Sequence, residues 1–586
     1  MSDDARVLRA LSSASKSGTG PGRPEFIIRH PDCPNLLVIV ECKAKREYHE
    51  SVTRDRWATY AVDGVLHYSE HLSRYFDVVS VAVSGDTQES LKISTFRQLR
   101  GAQTAESLLS GATPLTDLVS FDEYRRLLLF DPLVRKRTLN ELMAYSRELH
   151  VFMRDYAKVS EAEKPLLVSG ILLALRDDAF RRTYASYRPI DLAVQLYSAI
   201  ERMLSSDLAG ARLSITLQPY YFIKTHPELV RTVSIKRVGR LVPLEHLVAE
   251  IDENVRPFVD TYDDVDIIGQ FYGEFLRYSG GDKKSLGIVL TPRHITDLAA
   301  ALVDVKPTDT VVDTCAGSGG FLISAMARMD VRVPNHDTET RKKIREQQLI
   351  GIEQQPSMFA LAISNMMLRG DGKSNLYRGS CFDEEIRGQI RRGVPGRHAR
   401  PTVGLINPPF SQKGEGLQEL YFVQALLDLL VVGGRAFCIL PMSCVISRST
   451  VRSDLLKEHT LDAVVSLPDE LFYPVGTITC ATLWRAHEPH EHAVRPTWFG
   501  YWKNDGFVKA KDRGRVDDKS RWENIRHQWV DHYFGRVVAA GRSASWVVGP
   551  DDEWCAEAYM RPITPPLTRQ LTPRLQPDMR YFAPRG

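Results

Sequence analysis

Two consecutive prolines interrupt an apolar run at Val403-Gly404-Leu405-Ile406-Asn407-Pro408-Pro409-Phe410. Proline lacks an N–H and holds φ near −65°, so neither residue can continue a central strand and the chain must leave its sheet here. The carbonyls of Asn407 and Pro408 can then face outward beside an aromatic ring. Two acceptors next to Phe410 suit a planar exocyclic amine, with the ring stacked on it and the oxygens accepting both N–H bonds. A strand closed by a proline turn has the same sequence, and the tetrapeptide alone does not separate the two readings.

The surrounding chain sharpens the choice. From about residue 260 strand-like and helix-like segments alternate, the pattern of a parallel α/β sheet. Thr310-Val311-Val312 runs into Asp313-Thr314-Cys315-Ala316-Gly317-Ser318-Gly319-Gly320, and a helix opens at Phe321. Such a turn lets a ligand approach the backbone closely. Leu322 stands where a dinucleotide fingerprint needs glycine, and the Lys-Ser/Thr pair of a phosphate loop is missing. The next apolar run, Leu349 to Ile352, ends at Glu353, an acid placed to accept from ribose hydroxyls. The charged insertion 328–347 accounts for its lying farther from Asp313 than the usual spacing of roughly 20 residues. A third turn, Arg378-Gly379-Ser380-Cys381-Phe382-Asp383, can flank an adenine ring. Ligands of open α/β sheets bind beyond the carboxyl ends of the strands, so these turns and Asn407 should converge there.

Downstream, residues 419–430 read as a helix, and 435–440, 464–467 and 479–484 as strands. About 100 residues follow Trp484, polar, aromatic and too irregular for a full sequence-reading domain. The histidines 487, 490 and 492 lie in a loop without the regular spacing that converges metal ligands. The basic loop 391–400 enters the Asn407 strand and is a candidate for phosphate contact.

At the other end of the chain, Glu25-Phe26-Ile27-Ile28 and Leu36 to Val40 read as strands, and the second ends in Glu41-Cys42-Lys43. Period-two geometry puts Glu41 and Lys43 on one face, and pairing of the strands brings Glu25 near. Two carboxylates can hold Mg²⁺ and a lysine can steady developing charge. A lone Glu-x-Lys is usually a solvated strand end. Here a helical segment at 47–72 and a strand at 78–83 complete an acid–turn–strand–helix–strand order. Residues 12–24 read as a flexible linker and 101–135 as a junction. Helical periodicity then runs to about residue 255, beginning with Leu139, Leu142, Met143, Leu149 and Met153. The basic stretch 231–240 reads as solvated surface.

At 586 residues the chain exceeds one core. Its net charge of +3 neither demands nor excludes nucleic acid. Eight cysteines without a CxxC pair fit a reducing compartment and speak against structural zinc. No secretory core or membrane-length apolar stretch is present, so a soluble, cytoplasmic protein with no membrane partner is expected.

The ordered set Gly287-Ile288-Val289-Leu290-Thr291-Pro292, Asp313 to Gly320, Gly351-Ile352-Glu353 and Asn407 to Phe410 resembles the amino-group DNA methyltransferases that use S-adenosylmethionine, and most of all the modification subunits of type I restriction systems. The resemblance covers residues 125–485. Where that family usually reads Asp-Pro-x-Cys-Gly-Ser-Gly, this chain has Asp313-Thr314-Cys315-Ala316-Gly317-Ser318-Gly319, with the glycines retained. The N-terminal segment resembles the PD-(D/E)xK nucleases, with Glu25 standing at the usual aspartate and Pro31-Asp32 a decoy in the turn. Together the layout is similar to the bifunctional restriction–modification subunits of type IIB systems.

The resemblance implies an α/β fold: a Rossmann-like S-adenosylmethionine-dependent methyltransferase domain at 256–485, a helical domain at 116–255, an N-terminal α/β PD-(D/E)xK-like nuclease domain at 1–115, and a tail at 486–586. It implies methylation of the N6 amino group of a flipped adenine in double-stranded DNA, adenine being favoured over cytosine because the tetrapeptide starts with Asn rather than Ser. Asn407, Pro408 and Phe410 would be catalytic for methylation, and Glu25, Glu41 and Lys43 for cleavage, with Glu25 and Glu41 holding Mg²⁺. Cofactor contacts would come from Thr291, Asp313, Cys315, Gly317, Gly319, Glu353, Ser380, Cys381 and Asn407. A separate specificity subunit, and so a hetero-oligomer, is expected. Methylation of another planar amine (protein glutamine or cytosine N4) and a catalytically dead nuclease-like module remain open alternatives.

Overall fold

The computed structural model describes residues 5–560, apart from 17–19, 31–32, 34, 103, 111–112, 130–131, 236–238, 262–268, 270, 272–289, 335–336, 371–374, 411–417, 473–475, 492–494 and 511–513. Residues Gly287 to Val289, His492, and the Pro31-Asp32 pair lie outside the described residues. The chain divides into two compact units, Met1–Ala144 and Tyr145–Gly586.

In the first unit β1 (Phe26–Ile28) pairs antiparallel with β2 (Leu36–Lys43), which runs parallel to β3 (Asp77–Ser84). The antiparallel strands β4 (Lys92–Gln98) and β5 (Glu106–Ser107) complete a five-stranded sheet. Alternate residues of β2 serve opposite faces. Leu37 and Ile39 pack with Val62, Val65 and Leu72 of the crossover helix Ala61–Leu72, and Leu36 and Val38 pack with Val79, Val81, Tyr124 and Leu128. A sheet covered on both faces explains why these strands read as nearly continuous apolar runs. The crossover helix is shorter than its 47–72 composition promises. The buried Asp63 carboxylate accepts from the backbone N–H of Ser51 at 3.1 Å and of Arg56 at 2.9 Å, so the stretch before Ala61 folds back as a loop over the helix start.

The second unit is built on β6 (Val311–Asp313), β7 (Leu349–Glu353), β8 (Asn375–Arg378), β9 (Val403–Ile406), β10 (Arg435–Pro441), β11 (Thr460–Ser466), β12 (Thr479–Arg485), β13 (Thr497–Tyr501) and β14 (Ser543–Trp546). They lie side by side in the order β8-β7-β6-β9-β10-β12-β11-β13-β14. The first five are parallel, and β12 is antiparallel to both of its neighbours. The sheet does not stop near Trp484, where composition suggests an irregular tail. β13 runs parallel to β11, and β14 pairs antiparallel beyond it. The apolar signal of β13 is short and rich in aromatics, Trp498 and Phe499, and becomes a strand only because β11 offers it an edge.

A helical layer packs on this α/β core. Helix Lys164–Ala174 is buried along its whole length and, together with helix Gly210–Leu217, packs on helix Pro356–Met367. Its polar pivot is Tyr220, fully buried, whose hydroxyl lies 3.1 Å from Ser169 Oγ and 2.6 Å from Ser364 Oγ. Gly170 makes the approach possible, because a Cβ there would meet Ile200 Cδ1 at 2.9 Å and the Tyr220 ring at 3.1 Å. Arg212 and Arg176 reach from the helical layer to the carbonyls of Leu376 and Leu368, each at 3.0 Å. Among the described residues no helix is long and apolar enough to cross a membrane.

Removing one hydroxyl tests this docking. Tyr220→Phe leaves the ring in place and strips a hydrogen-bond partner from two buried serines, so it should cost about 1–3 kcal/mol. Urea unfolding with an unchanged m-value and a lower midpoint is the expected result.

Candidate functional site

Strand order reverses between β6 and β9, and crevices at such reversals are where open α/β sheets hold ligands. The register pairs Asp313 with Leu405, so Asn407 leaves the sheet beside the start of the glycine-rich turn. In that turn Gly317 has φ +55° and Gly319 φ +88°, left-handed conformations that L side chains rarely adopt. Gly319 is the N-cap of helix Gly320–Val331. The turn is held from outside by Glu353 at the end of β7. One carboxylate oxygen accepts from Gly317 N–H at 2.9 Å and the other from Gln355 N–H at 2.7 Å. Burial raises the Glu353 pKa, although the backbone N–H bonds pull the other way. A carboxylate has about four lone-pair sites, more than the backbone N–H groups of Gly317, Gln354 and Gln355 use, which leaves room for a ribose hydroxyl. The Glu353 carbonyl accepts from Gly379 N–H at 3.1 Å, which draws in the third turn.

Asp313 is buried, and its carboxylate accepts from Cys315 N–H at 3.0 Å. Burial, with a contribution from the nearby Glu353 charge, pushes its pKa up to about 8. The Cys315 thiol is hydrogen-bonded to that of Cys381 and sits well above the usual thiol range. This pair joins the glycine-rich turn to the third turn, where Ser380 Oγ accepts from Phe382 N–H at 3.2 Å and Asp383 caps helix Glu384–Arg392.

Asn407 donates from Nδ2 to Thr291 Oγ1 at 2.9 Å. Its Oδ1 is buried and has no hydrogen-bond partner among the described residues. Pro408 is buried and Phe410 half-buried, the latter's ring meeting Phe472 edge-on at 6.1 Å. Thr291 and Pro292 lead into helix Arg293–Leu302. In its first turn His294 is stacked on Phe507 at 4.1 Å and lies 3.0 Å from Asp505, which Arg515 grips with both terminal nitrogens. Asp505 lies 211 positions from His294, and no local pattern connects them.

The basic loop 391–400 keeps Arg391 and Arg392 exposed. It enters β9 at the strand's amino end, away from Asn407. Arg400 is occupied by the carbonyls of Leu429 and Leu430, and Arg397 lies over the Tyr377 ring at 5.2 Å. Near the histidines of the 487–492 loop, ligand atoms of Asp428, Glu458 and His459 come within 4.8 Å of one another. Burial lowers the His459 pKa to about 4, and its Nδ1 accepts from His487 N–H at 3.0 Å. The neutral ring therefore carries its proton on Nε2, the atom facing the carboxylates, and offers them no lone pair for a metal.

In the first unit Glu41 and Lys43 do share a face. Glu41 is buried, and its Oε1 accepts from Lys43 Nζ at 3.1 Å and from Lys16 Nζ, while Oε2 has no partner among the described residues. Lys16 also lies over the Tyr68 ring at 4.5 Å, and burial is the chief reason its pKa is lowered. It comes from the 12–24 stretch, where nothing in a run of small polar residues marks one lysine. Glu25 is exposed and precedes β1, whose register places Phe26 opposite Val40. Its carboxylate bonds the Cys42 thiol, whose pKa burial and that charge push up to about 11.

Residues 263–529 match the N-6 DNA Methylase family. The chain is 32% identical over 561 residues to the type II restriction enzyme and methyltransferase RM.BcgI of Heyndrickxia coagulans, a match covering 88% of this chain and 83% of that protein. It is 28% identical over 233 residues to the type I restriction enzyme EcoKI methylase subunit of Escherichia coli strain K12, covering 36% of this chain and 43% of that subunit. A solved chain of a type I R-M system is 20% identical with a TM-score of 0.49, covering 72% of this chain and 90% of its own.

The buried carboxyl of Asp313 makes stability depend on pH. Its folded pKa of about 8 stands above its ordinary 3.8, so between those values the folded state holds a proton that the unfolded chain releases, and stability falls as pH rises through the window. Asp313→Asn should flatten that slope without abolishing it, since Glu353 is shifted in the same direction. Urea midpoints measured across the window, with a shallower pH dependence in the variant, are the expected result.

Proposed function

We propose, from the premise that this chain belongs to the N-6 DNA methylase family of restriction–modification enzymes, that it joins two activities in one polypeptide. The second unit transfers a methyl group from S-adenosylmethionine to the N6 amino group of an adenine flipped out of double-stranded DNA. The first unit cleaves DNA with Mg²⁺. The observation that carries the methylation reading is the buried, unpartnered Oδ1 of Asn407 beside Phe410 and the glycine-rich turn.

The amine of adenine is a poor nucleophile because its lone pair is delocalised into the ring. Asn407 Oδ1, with the Pro408 carbonyl, accepts the two N–H bonds, favours a tetrahedral nitrogen and stabilises the positive charge that develops on it. A base stacked inside a duplex cannot reach these atoms, so it must be flipped, and Phe410 offers the stacking face. The residues that would hold the cofactor fit it. Gly317 and Gly319 leave the turn backbone uncovered, Glu353 has free lone pairs for ribose hydroxyls, and Ser380 and Cys381 flank the adenine end. When bound, S-adenosylmethionine supplies an electrophilic methyl group, so the residues around it have mainly to position the reactants.

For cleavage, Glu41 Oε2 is a buried carboxylate oxygen without a partner, and Glu25 brings a second carboxylate into the same cluster. Mg²⁺ prefers such oxygens and, when bound, activates water. Lys43 steadies charge on the phosphate. The name of RM.BcgI joins restriction and methylation, and its similarity extends over both units of this chain. One observation favours a second reading, a DNA-binding module that does not cut: Glu41 Oε1 already holds both Lys16 and Lys43.

The proposed division of labour is cleavage in 1–115, a helical connector in 116–255 and methyl transfer in 256–485, with 486–586 adding the strands β13 and β14 to the methyltransferase sheet as well as contact with a subunit or with DNA. A separate cytoplasmic specificity subunit supplies sequence choice, giving a hetero-oligomer, as the word subunit in the names of the type I relatives suggests.

Two substitutions test the two halves. Asn407→Ala should lower methyl incorporation into DNA by about 100-fold or more while calorimetry finds cofactor binding retained. Lys43→Ala should remove Mg²⁺-dependent cleavage and leave methylation intact. Wild-type protein that methylates but never cuts unmodified DNA, with its specificity subunit present, would establish the non-cutting module instead.

A further inference from the structure

We propose that Thr291 is a positioning residue for methyl transfer: its hydroxyl holds the Asn407 side chain by its amide and thereby keeps Oδ1 at the target amine. This rests on reading Asn407 as the amine acceptor. The terminal torsion of an asparagine is broad and two-fold, so a fixed partner at one end of the amide is what holds the other end at a target; a hydroxyl can accept from Nδ2 or donate to Oδ1, and here it accepts. Turned the wrong way, Asn407 would present two N–H donors to the two N–H donors of adenine. Among the described residues the Asn407 amide makes one hydrogen bond, from Nδ2 to Thr291 Oγ1 at 2.9 Å, and Oδ1 has no partner.

Thr291 is well placed for this task. As a β-branched residue it is stiff at χ1. It stands immediately before Pro292, the N-cap of helix Arg293–Leu302, and the Pro292 carbonyl accepts from Ile295 N–H at 2.9 Å. The helix start is in turn fixed by His294, stacked on Phe507 and 3.0 Å from Asp505, whose own carboxylate is held by Arg515 at 2.9 and 2.6 Å. Residues far down the chain thus anchor the hydroxyl that orients the catalytic amide. A threonine at this position reads from sequence as a cofactor contact, and its Oγ1 also accepts from Asn407.

Thr291→Val and Thr291→Ser in the full-length protein separate these roles. Valine keeps the shape and loses the acceptor, and one hydrogen bond of this kind corresponds to about a 10-fold effect. Single-turnover methyl transfer should fall about 10-fold in Thr291→Val, with the calorimetric affinity for S-adenosylmethionine and the thermal unfolding midpoint unchanged. Thr291→Ser should restore most of the rate. In an Asn407→Ala background, Thr291→Val should have no further effect, because the group it positions is gone. Loss of cofactor affinity by the same factor as the rate would make Thr291 a cofactor contact, and a wild-type rate in Thr291→Val would show that the amide is oriented by something else. Failure of the underlying reading gives a different signature, an Asn407→Ala protein that methylates at the wild-type rate.

Discussion

The reversal of strand order between β6 and β9 is the constraint on which the methyltransferase unit depends. It opens a crevice at the carboxyl ends of two adjacent parallel strands, and the register Asp313↔Leu405 decides what faces it. Glycines in left-handed conformations bare the backbone on one side, and two prolines force the chain out of the sheet on the other. A one-residue slip in that pairing would turn Asn407 to the opposite face of the sheet.

Inside the crevice, burial does the electrostatic work. Glu353 accepts backbone N–H bonds on both carboxylate oxygens and fixes the turn. Asp313 sits deep enough that its carboxyl holds a proton to about pH 8. Asn407 Oδ1 has no partner among the described residues, and an unsatisfied buried acceptor costs about 1–3 kcal/mol. That cost is recovered only when a donor arrives, which makes the pocket selective for a group with N–H bonds to give. The same logic applies in the first unit, where Glu41 Oε2 is buried and unpartnered next to two lysines.

Much of this arrangement is legible in the chain because it is local. Prolines after Asn407, glycines after Asp313 and an acid ending β7 each announce a turn by backbone chemistry alone, and Glu41 and Lys43 share a face by strand periodicity. What escapes a reading of sequence is every feature whose partner is remote. Lys16 reaches Glu41 from a stretch that looks like a linker, and His294 meets Asp505 across most of the methyltransferase unit. β13 is a strand because β11 leaves it an edge, and Arg400 is held by the carbonyls of Leu429 and Leu430.

The most direct test is to map the base that the enzyme modifies. Purified protein with its specificity subunit, duplex DNA and S-adenosylmethionine should yield N6-methyladenine at a fixed position in each recognised site, read by nucleoside mass spectrometry and single-molecule sequencing. Methyl groups found on cytosine N4, on protein glutamine, or on no DNA base at all would contradict it.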